Sequence, residues 1–238
     1  MQYGRLFLIP SPLGEGAIDW IIPSHVKQCI ANLTYFVVEH PKTARHFLKQ
    51  IALQRPIQAI TLQTLDKHTP INELDSLLGP IYAGNDMGLL SEAGCPAIAD
   101  PGANLVRIAH EKQIQVVPLV GPSSILLALM ASGLNGQCFS FHGYLPIDKV
   151  SCAKKIIQME SESFKFNQTQ IFIETPYRNK KLFELLAMHC QGSTHLCIAS
   201  NLTLQDEAIN TRTIKDWQTN LPDFEKKPTV FLLHRYQT

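Results

Sequence analysis

The chain has 238 residues, of which 45% are hydrophobic and 17% are charged. This composition supports a sizeable core and excludes disordered, collagen-like and coiled-coil proteins. The 21 Lys and Arg residues against 20 Asp and Glu residues give a formal net charge of +1. The charge excludes a polybasic tail of the kind that binds nucleic acid, so any contact with RNA would need a local basic patch.

Five strand-like runs rich in Val, Ile, Leu and Phe alternate with helical stretches in the first half of the chain. They cover residues 5–9, 35–38, 57–62, 87–91 and 114–117. This alternation is typical of a parallel sheet with helices on both faces. We therefore predict an N-terminal α/β domain, residues 1–117, built on a mostly parallel, doubly wound sheet.

The second half begins with the same alternation but ends differently. Strand-like runs cover residues 139–142, 170–174, 195–200, 207–213 and 229–235, with one short helix around 215–217 between the last two. Late strands with little helix between them favour antiparallel pairing. We predict a C-terminal α/β domain with a mixed sheet, residues 118–238, and a crossing segment at 118–124.

The apolar run at residues 6–9 stops at Pro10, far short of the roughly 20 residues that a membrane span needs. No charged leader with a small-residue cleavage site precedes it, which indicates a cytoplasmic protein. The six cysteines include no C-x-x-C pair, which favours reduced thiols. The His and Cys residues between 189 and 197 match no structural zinc spacing, and we expect no metal.

Three turns rich in Gly, Pro and Ser follow predicted strands, at residues 10–16, 91–102 and 118–124. Ligands of α/β proteins bind at the carboxyl ends of the strands. The first turn lacks the G-x-G-x-x-G spacing of a dinucleotide loop. In the second, small residues allow close backbone approach and Asp100 is expected to cap the next helix. The third opens an apolar helix that Ser123 or Ser124 would cap. The turns predict a site for a polar ligand such as an adenosyl group or an amino-acid carboxylate.

Together these turns resemble the tetrapyrrole (corrin/porphyrin) methylase superfamily of S-adenosylmethionine-dependent methyltransferases, and within it the ribosomal RNA small-subunit methyltransferase I branch. The branch pattern S-D-A-G-T-P-x-I-S-D-P-G is similar to residues 91–102, and P-G-P-S-A is similar to residues 120–124. Its A-S-G-L, F-x-G-[FY]-L-P and E-S-P-H-R patterns are met at residues 131–134, 141–146 and 174–178.

The resemblance implies a two-domain α/β methyltransferase that binds S-adenosylmethionine in the cleft between its domains and works as a homodimer. It also implies the residues that contact the cofactor, which are Pro10, Ala93, Gly94, Ile98, Ser123, Ser124, Glu174, Leu202 and Pro228.

The chain departs from the branch in regions that concern the methyl acceptor. Residues 11–18 lack the Asn and Asp of the branch's N-terminal motif, and residues 39–45 keep the Glu of its E-D-T-R but move the Arg downstream. The chain also stops at Thr238, without the branch's helical extension. The expected acceptor is a nucleotide or ribosomal RNA, with 2′-O-methylation of cytidine implied by the resemblance. Two alternatives stay open: methylation of a small anionic molecule such as a tetrapyrrole, and a non-catalytic S-adenosylmethionine-binding module.

Three charged residues are candidates for the chemistry. Glu39 and Glu92 could act as a base if the nucleophile is a hydroxyl, and Arg178 could hold a phosphate or carboxylate through its two-pronged guanidinium. Each has a structural alternative. Glu39 could pair with Arg45 across a helix surface, Glu92 could bind backbone amides, and Arg178 could form an exposed structural ion pair. Arg178 lies just inside a predicted helix start, where a cation opposes the helix dipole, and this conflict favours a functional role.

Overall fold

The computed structural model describes residues 3–16, 18–51, 53–220, 224 and 226–237. The chain divides after Ser123 into two compact units, each built on its own five-stranded sheet. The loop that follows residue 118, which the sequence assigned to the second domain, lies in the first unit up to Ser123.

The first unit contains an entirely parallel sheet. Its strands are β1 (Leu6–Ile9), β2 (Tyr35–Val38), β3 (Thr61–Thr64), β4 (Met87–Leu90) and β5 (Val116–Pro118). They lie in the order β3-β2-β4-β1-β5, and every neighbouring pair is parallel. This order brings the ends of β1, β2 and β4 together at one edge of the sheet, where the polar turns follow.

Helices cover both faces of this sheet, as the predicted doubly wound fold requires. They are α1 (Ile18–Ile21), α2 (Ser24–Ala31), α3 (Pro41–Gln50), α4 (Leu74–Leu77), α5 (Gly79–Tyr82) and α6 (Gly102–Glu111). Side chains alternate along the strands. Phe36 therefore packs with α2 and α3, whereas its neighbour Val37 packs on the other face with α4, α5 and α6.

The strand predicted at residues 57–62 was partly wrong. Ile57–Ala59 forms a 3-10 turn, and β3 begins only at Thr61. Pro56 precedes the turn with φ −58°, the value that a proline ring imposes. Ile57 and Ile60 still contact the core on the α2 and α3 face, so their apolar pattern reflected burial and not extended backbone.

The second unit contains the predicted mixed sheet. Its strands are β6 (Phe139–Tyr144), β7 (Thr169–Glu174), β8 (His195–Ser200), β9 (Ala208–Thr213) and β10 (Thr229–His234). They lie in the order β6-β7-β10-β8-β9, with β6 and β7 parallel and the other pairs antiparallel. Inserting β10 between β7 and β8 brings the ends of those two strands to the edge where β10 begins.

The helices of the second unit are α7 (Ser124–Ser132), α8 (Lys149–Phe166), α9 (Asn179–His189) and α10 (Ile214–Thr219). The long helix α8 has clear end signals. The Asp148 carboxylate accepts a hydrogen bond from the Ser151 amide at 2.9 Å, and Asn167 ends the helix with φ +50°. Among the described residues, none of the helices combines the length and apolar composition that crossing a membrane demands.

Candidate functional site

The first and second turns are joined by backbone hydrogen bonds. The Ser11 amide donates to the Gly94 carbonyl at 2.9 Å, and the Gly94 amide returns a bond to Ser11 at 3.0 Å. The Ser11 hydroxyl also donates to the Ser91 carbonyl at 3.0 Å. These bonds fix the exit of β1 against the exit of β4, two strands that are neighbours in the sheet.

The third turn packs against the other two. A Cβ atom at Gly121 would lie only 2.2 Å from Cγ of Pro10, so the glycine permits a close approach that no side chain could make. The Cys95 thiol lies 3.4 Å from the Pro122 carbonyl, to which it donates. The three turns therefore form one packed group at the carboxyl edge of the first sheet.

The second turn holds a strained backbone. Gly94 has φ +74°, and two non-glycine residues, Ala97 and Ala99, have φ +67° and +61°. The Asp100 carboxylate stabilises this conformation by accepting hydrogen bonds from the amides of Ala97 at 2.9 Å and Gly102 at 2.7 Å. Burial raises the pKa of Asp100, and these two bonds oppose the rise. Left-handed alanines persist only where their surroundings enforce them, and such strain is concentrated at functional sites.

The structure brings together most of the cofactor residues expected in the first unit. Pro10 and Gly94 are buried where the turns meet, whereas Ala93 and Ile98 are exposed on the second turn. Ile98 leaves 49% of its surface open, which is apolar area available to a ligand. Ser123 ends the first unit; Ser124, the other expected contact in the third turn, begins α7 of the second unit.

The cofactor residues expected in the second unit lie at one edge of its sheet. Thr229 pairs with Glu174 on one side and with Ser200 on the other. Leu202 lies just beyond Ser200, and Pro228 just before Thr229. The Asn201 amide donates to the Pro228 carbonyl at 3.0 Å, which links the two loops.

Two polar residues at this edge escaped the sequence reasoning. The buried Asn179 amide donates to Thr229 Oγ1 at 3.2 Å and to the Lys227 carbonyl at 2.8 Å. Its own Oδ1, and Oγ1 of Thr203, are buried and have no hydrogen-bond partner in the described part of the chain. Thr203 also has φ +71°. Only the position of Asn179, directly after the E-S-P-H-R-like segment, could have drawn attention to it.

Arg178 has a partner that the sequence did not indicate. Its Nη2 lies 2.8 Å from Oε2 of Glu174, whose side chain is only 2% exposed. The other oxygen of Glu174 accepts the Thr175 amide at 2.7 Å. Arg178 was expected just inside the helix, but it ends a 3-10 turn and directly precedes α9. The ion pair with Glu174 offsets the unfavourable interaction between the Arg178 cation and the dipole of α9.

Glu39 directly follows β2. The ion pair with Arg45, which the sequence left open, is absent among the described residues. Because α3 begins only at Pro41, the two residues are not on one helix surface. Glu39 instead lies near other acids. Burial and the carboxylates of Glu92 and Asp100 raise the pKa of Glu39, which makes its carboxylate a better proton acceptor than an isolated one.

A cavity of about 470 Å³ opens in the first unit between the first turn, α3 and the second turn. This volume is in the range of small-molecule sites. Glu92 lies on its wall, where Oε1 accepts a hydrogen bond from the Thr43 hydroxyl at 2.6 Å. The other charged or aromatic wall residues are Glu15, Lys42, His46 and Phe47. Sequence reasoning missed the contribution of α3, because Thr43 and Glu92 are 49 residues apart.

Solved structures share this architecture. The methyltransferase CobJ superposes with a TM-score of 0.64 and 18% identity, and the match covers 98% of this chain and 94% of CobJ. The parallel sheet, the mixed sheet and the packed turns thus define an α/β protein with the fold of the tetrapyrrole methyltransferases.

The sequence comparison identifies the family. The profile of the Tetrapyrrole (Corrin/Porphyrin) Methylases matches residues 39–218, about three quarters of the chain. The protein therefore belongs to the tetrapyrrole methylase family and is an S-adenosylmethionine-dependent methyltransferase, which confirms the resemblance drawn from its turns.

Curated relatives are similar over nearly the whole chain. The protein named ribosomal RNA small subunit methyltransferase I from Vibrio cholerae is 27% identical over 235 residues, which are 98% of this chain and 77% of the relative. Its counterpart from Streptococcus pyogenes is 28% identical over 234 residues, 97% of this chain and 76% of the relative.

Proposed function

We propose that this methyltransferase modifies RNA, with the ribose 2′-hydroxyl of a cytidine in small-subunit ribosomal RNA as the acceptor. The observation that carries the proposal is a basic helix face beside the cavity. Helix α3 carries Lys42, Arg45 and Lys49 and no acidic residue. All three cations are exposed, and none takes part in an ion pair among the described residues.

The spacing of these cations suits a surface that binds the phosphate backbone of RNA. Residues three and four apart lie on the same face of a helix, so Lys42, Arg45 and Lys49 form one row. Lys42 lines the cavity itself. A chain with a net charge of only +1 needs such a local patch to attract phosphates. The names of the relatives from Vibrio cholerae and Streptococcus pyogenes support the same class of acceptor.

The residues of the three turns fit S-adenosylmethionine as the methyl donor. The exposed apolar surface of Ile98, on the turn that Gly94 packs against Ser11, suits a flat adenosyl group. The buried, unpartnered Oγ1 of Thr203 next to Leu202 is a hydroxyl able to bond a ligand in the second unit. When bound, the cofactor supplies a methyl group on a positively charged sulfur.

The protein's contribution is to orient the acceptor and exclude water, because an in-line displacement depends on holding the reacting atoms together. A hydroxyl acceptor also has to lose a proton. The raised pKa of Glu39, at the edge where the turns meet, suits this residue to accept it. Glu39→Gln should therefore lower kcat and leave affinity for the cofactor nearly unchanged.

Incubation of the purified protein with tritiated S-adenosylmethionine and separate acceptors tests the proposal. The acceptors are intact small ribosomal subunits, protein-free small-subunit RNA and a carboxylated tetrapyrrole. We expect label in RNA, and 2′-O-methylcytidine after digestion to nucleosides and mass spectrometry. Label confined to the tetrapyrrole would refute the proposal in favour of a small anionic acceptor. Cofactor binding without transfer to any acceptor would point to a non-catalytic binding module.

A charge-matched pair of variants tests the helix face. The double variant Arg45→Gln and Lys49→Gln removes two cations that have no ion-pair partner in the described chain. The control, Arg107→Gln and Lys112→Gln, removes two that pair with Glu111 and Asp75. Only the first should weaken RNA binding and lower the slope of log affinity against log salt, by about one to two. Equal slopes for both variants would exclude α3 as the phosphate-binding surface.

A further inference from the structure

The cavity presents one carboxylate oxygen to which none of the described residues donates a hydrogen bond. Oε1 of Glu92 accepts the Thr43 hydroxyl at 2.6 Å, whereas Oε2 has no hydrogen-bond partner among the described residues. Thr43 is in the first turn of α3, which starts at Pro41, so its position is set by the helix. The bond thus orients the Glu92 carboxylate on the cavity wall and leaves one strong acceptor available.

The rest of the wall suits a nucleobase. Leu13 and Phe47 provide apolar surface, and Ser11 and Ser91 provide small polar groups. Lys42 lies on the same wall, and Arg45 and Lys49 continue its row along α3. Proteins that read single-stranded RNA hold splayed bases in such pockets, bonding their Watson–Crick edges while cations follow the backbone.

We propose that this cavity receives the base of the acceptor nucleotide and that Glu92, oriented by Thr43, selects a base with an exocyclic amino group. The inference rests on RNA being the substrate and makes Glu92 a specificity residue, with Glu39 as the base. A carboxylate accepts from the N4 amino group of cytosine. The O4 of uracil at the same position is an acceptor, so the two groups repel. Glu92 therefore favours cytosine over uracil.

Binding of short RNA tests this independently of methyl transfer. The probes are the pentamers UUCUU and UUUUU, titrated into the protein saturated with S-adenosylhomocysteine. We expect wild type to prefer UUCUU by about tenfold. Glu92→Gln can present its amide NH2 to uracil and should bring the preference close to one. Glu184→Gln makes the same change of charge on the exposed surface of α9, outside the cavity lining, and should keep the preference.

Thr43 is a positioning residue and needs its own variants. Thr43→Val removes the hydroxyl at nearly constant volume and should weaken the preference for cytosine. Thr43→Ser retains the hydroxyl and should restore it. Circular dichroism and affinity for S-adenosylhomocysteine should be unchanged in both, because Thr43 is exposed and the other contact of its hydroxyl, with the His40 carbonyl at 2.9 Å, lies at the start of α3 and outside the core.

The outcomes separate this inference from the proposed function. RNA methylation by wild type, together with a cytosine preference that survives in Glu92→Gln, would overturn the role of Glu92 and leave the function standing. A Glu92-dependent preference in a protein that transfers no methyl group to RNA would support the pocket and overturn the function. Equal binding of both pentamers by wild type would overturn the pocket.

Discussion

Gly94 and Gly133 form a matched pair for testing the role of the second turn. Both have left-handed backbones, with φ +74° and +70°. A Cβ at Gly94 would lie 3.4 Å from Cδ2 of Leu13 and 3.7 Å from the Pro122 carbonyl, which are ordinary contacts, and a Cβ at Gly133 would meet nothing within 4 Å. Alanine at either position therefore introduces backbone strain of about 1–2 kcal/mol without overlap.

The expected results differ only at the ligand. Both variants should lose about 1–2 kcal/mol in the free energy of unfolding, measured by urea denaturation. At Gly94 the strain falls on the turn that is bonded to Ser11 and packed near Pro122, so relaxation would shift the proposed cofactor contacts. We expect Gly94→Ala to weaken S-adenosylhomocysteine binding at least tenfold by calorimetry, about 1.4 kcal/mol, and Gly133→Ala to bind normally.

Two results would contradict this reasoning. If Gly94→Ala is destabilised like Gly133→Ala but binds the cofactor product with wild-type affinity, the second turn does not contact it. If both variants lose affinity to the same extent, the loss follows stability and not position. The informative quantity is the difference in ligand affinity between the two variants, because the backbone strain common to both cancels.

Three further predictions concern the second unit and assembly. Burial and the nearby charge of His195 lower the pKa of His234, so the folded protein keeps this imidazole neutral. The free energy of unfolding should therefore be at its full value above the unfolded pKa of about 6.5 and fall as the pH drops below it. His234→Gln should reduce the slope of this free energy against pH by up to about 1.4 kcal/mol per pH unit. Arg178→Lys keeps the charge beside Glu174 but loses the planar fork, so methyl transfer should fall while cofactor affinity changes little; equal turnover would exclude Arg178 as an acceptor anchor. Light scattering should find a homodimer at micromolar concentration. A monomer under these conditions would contradict the prediction.

The sequence predicted the strands well where short apolar runs are bounded by turn residues. The bounds of β2 and β8 agree with the predicted runs at 35–38 and 195–200. The same pattern failed at Ile57, where a proline-initiated 3-10 turn also buries isoleucine. Apolar spacing reports burial, and over so few residues it cannot distinguish an extended backbone from a helical turn.

The site was predictable only where its residues are close in sequence. The small residues of the second turn stand together between 91 and 102, so their pattern could be read directly. The ion pair of Arg178 with Glu174 spans four residues but depends on a 3-10 turn that the sequence did not suggest. The bond from Thr43 to Glu92 depends on the order of strands in the sheet, since β2 and β4 are neighbours only after folding.

The structure changes the interpretation of residues 39–45, which depart from the branch pattern E-D-T-R and lie beside the cavity. Counted from Glu39, the fourth position holds Lys42, so the cation of the pattern is retained at a residue that lines the cavity. The second position, acidic in the branch, is His40, and the next residues add Thr43 and Arg45. His40 thus removes a negative charge from the pattern. Beyond the pattern, the Thr43 hydroxyl bonds to Glu92 and Arg45 continues the cationic row along α3. Compared as a motif, residues 39–45 depart from the RNA-methylating branch. In the folded protein they place Lys42 and Arg45 on one helix face, which favours RNA binding, because phosphate binding depends on where the charges lie and not on their order in the chain.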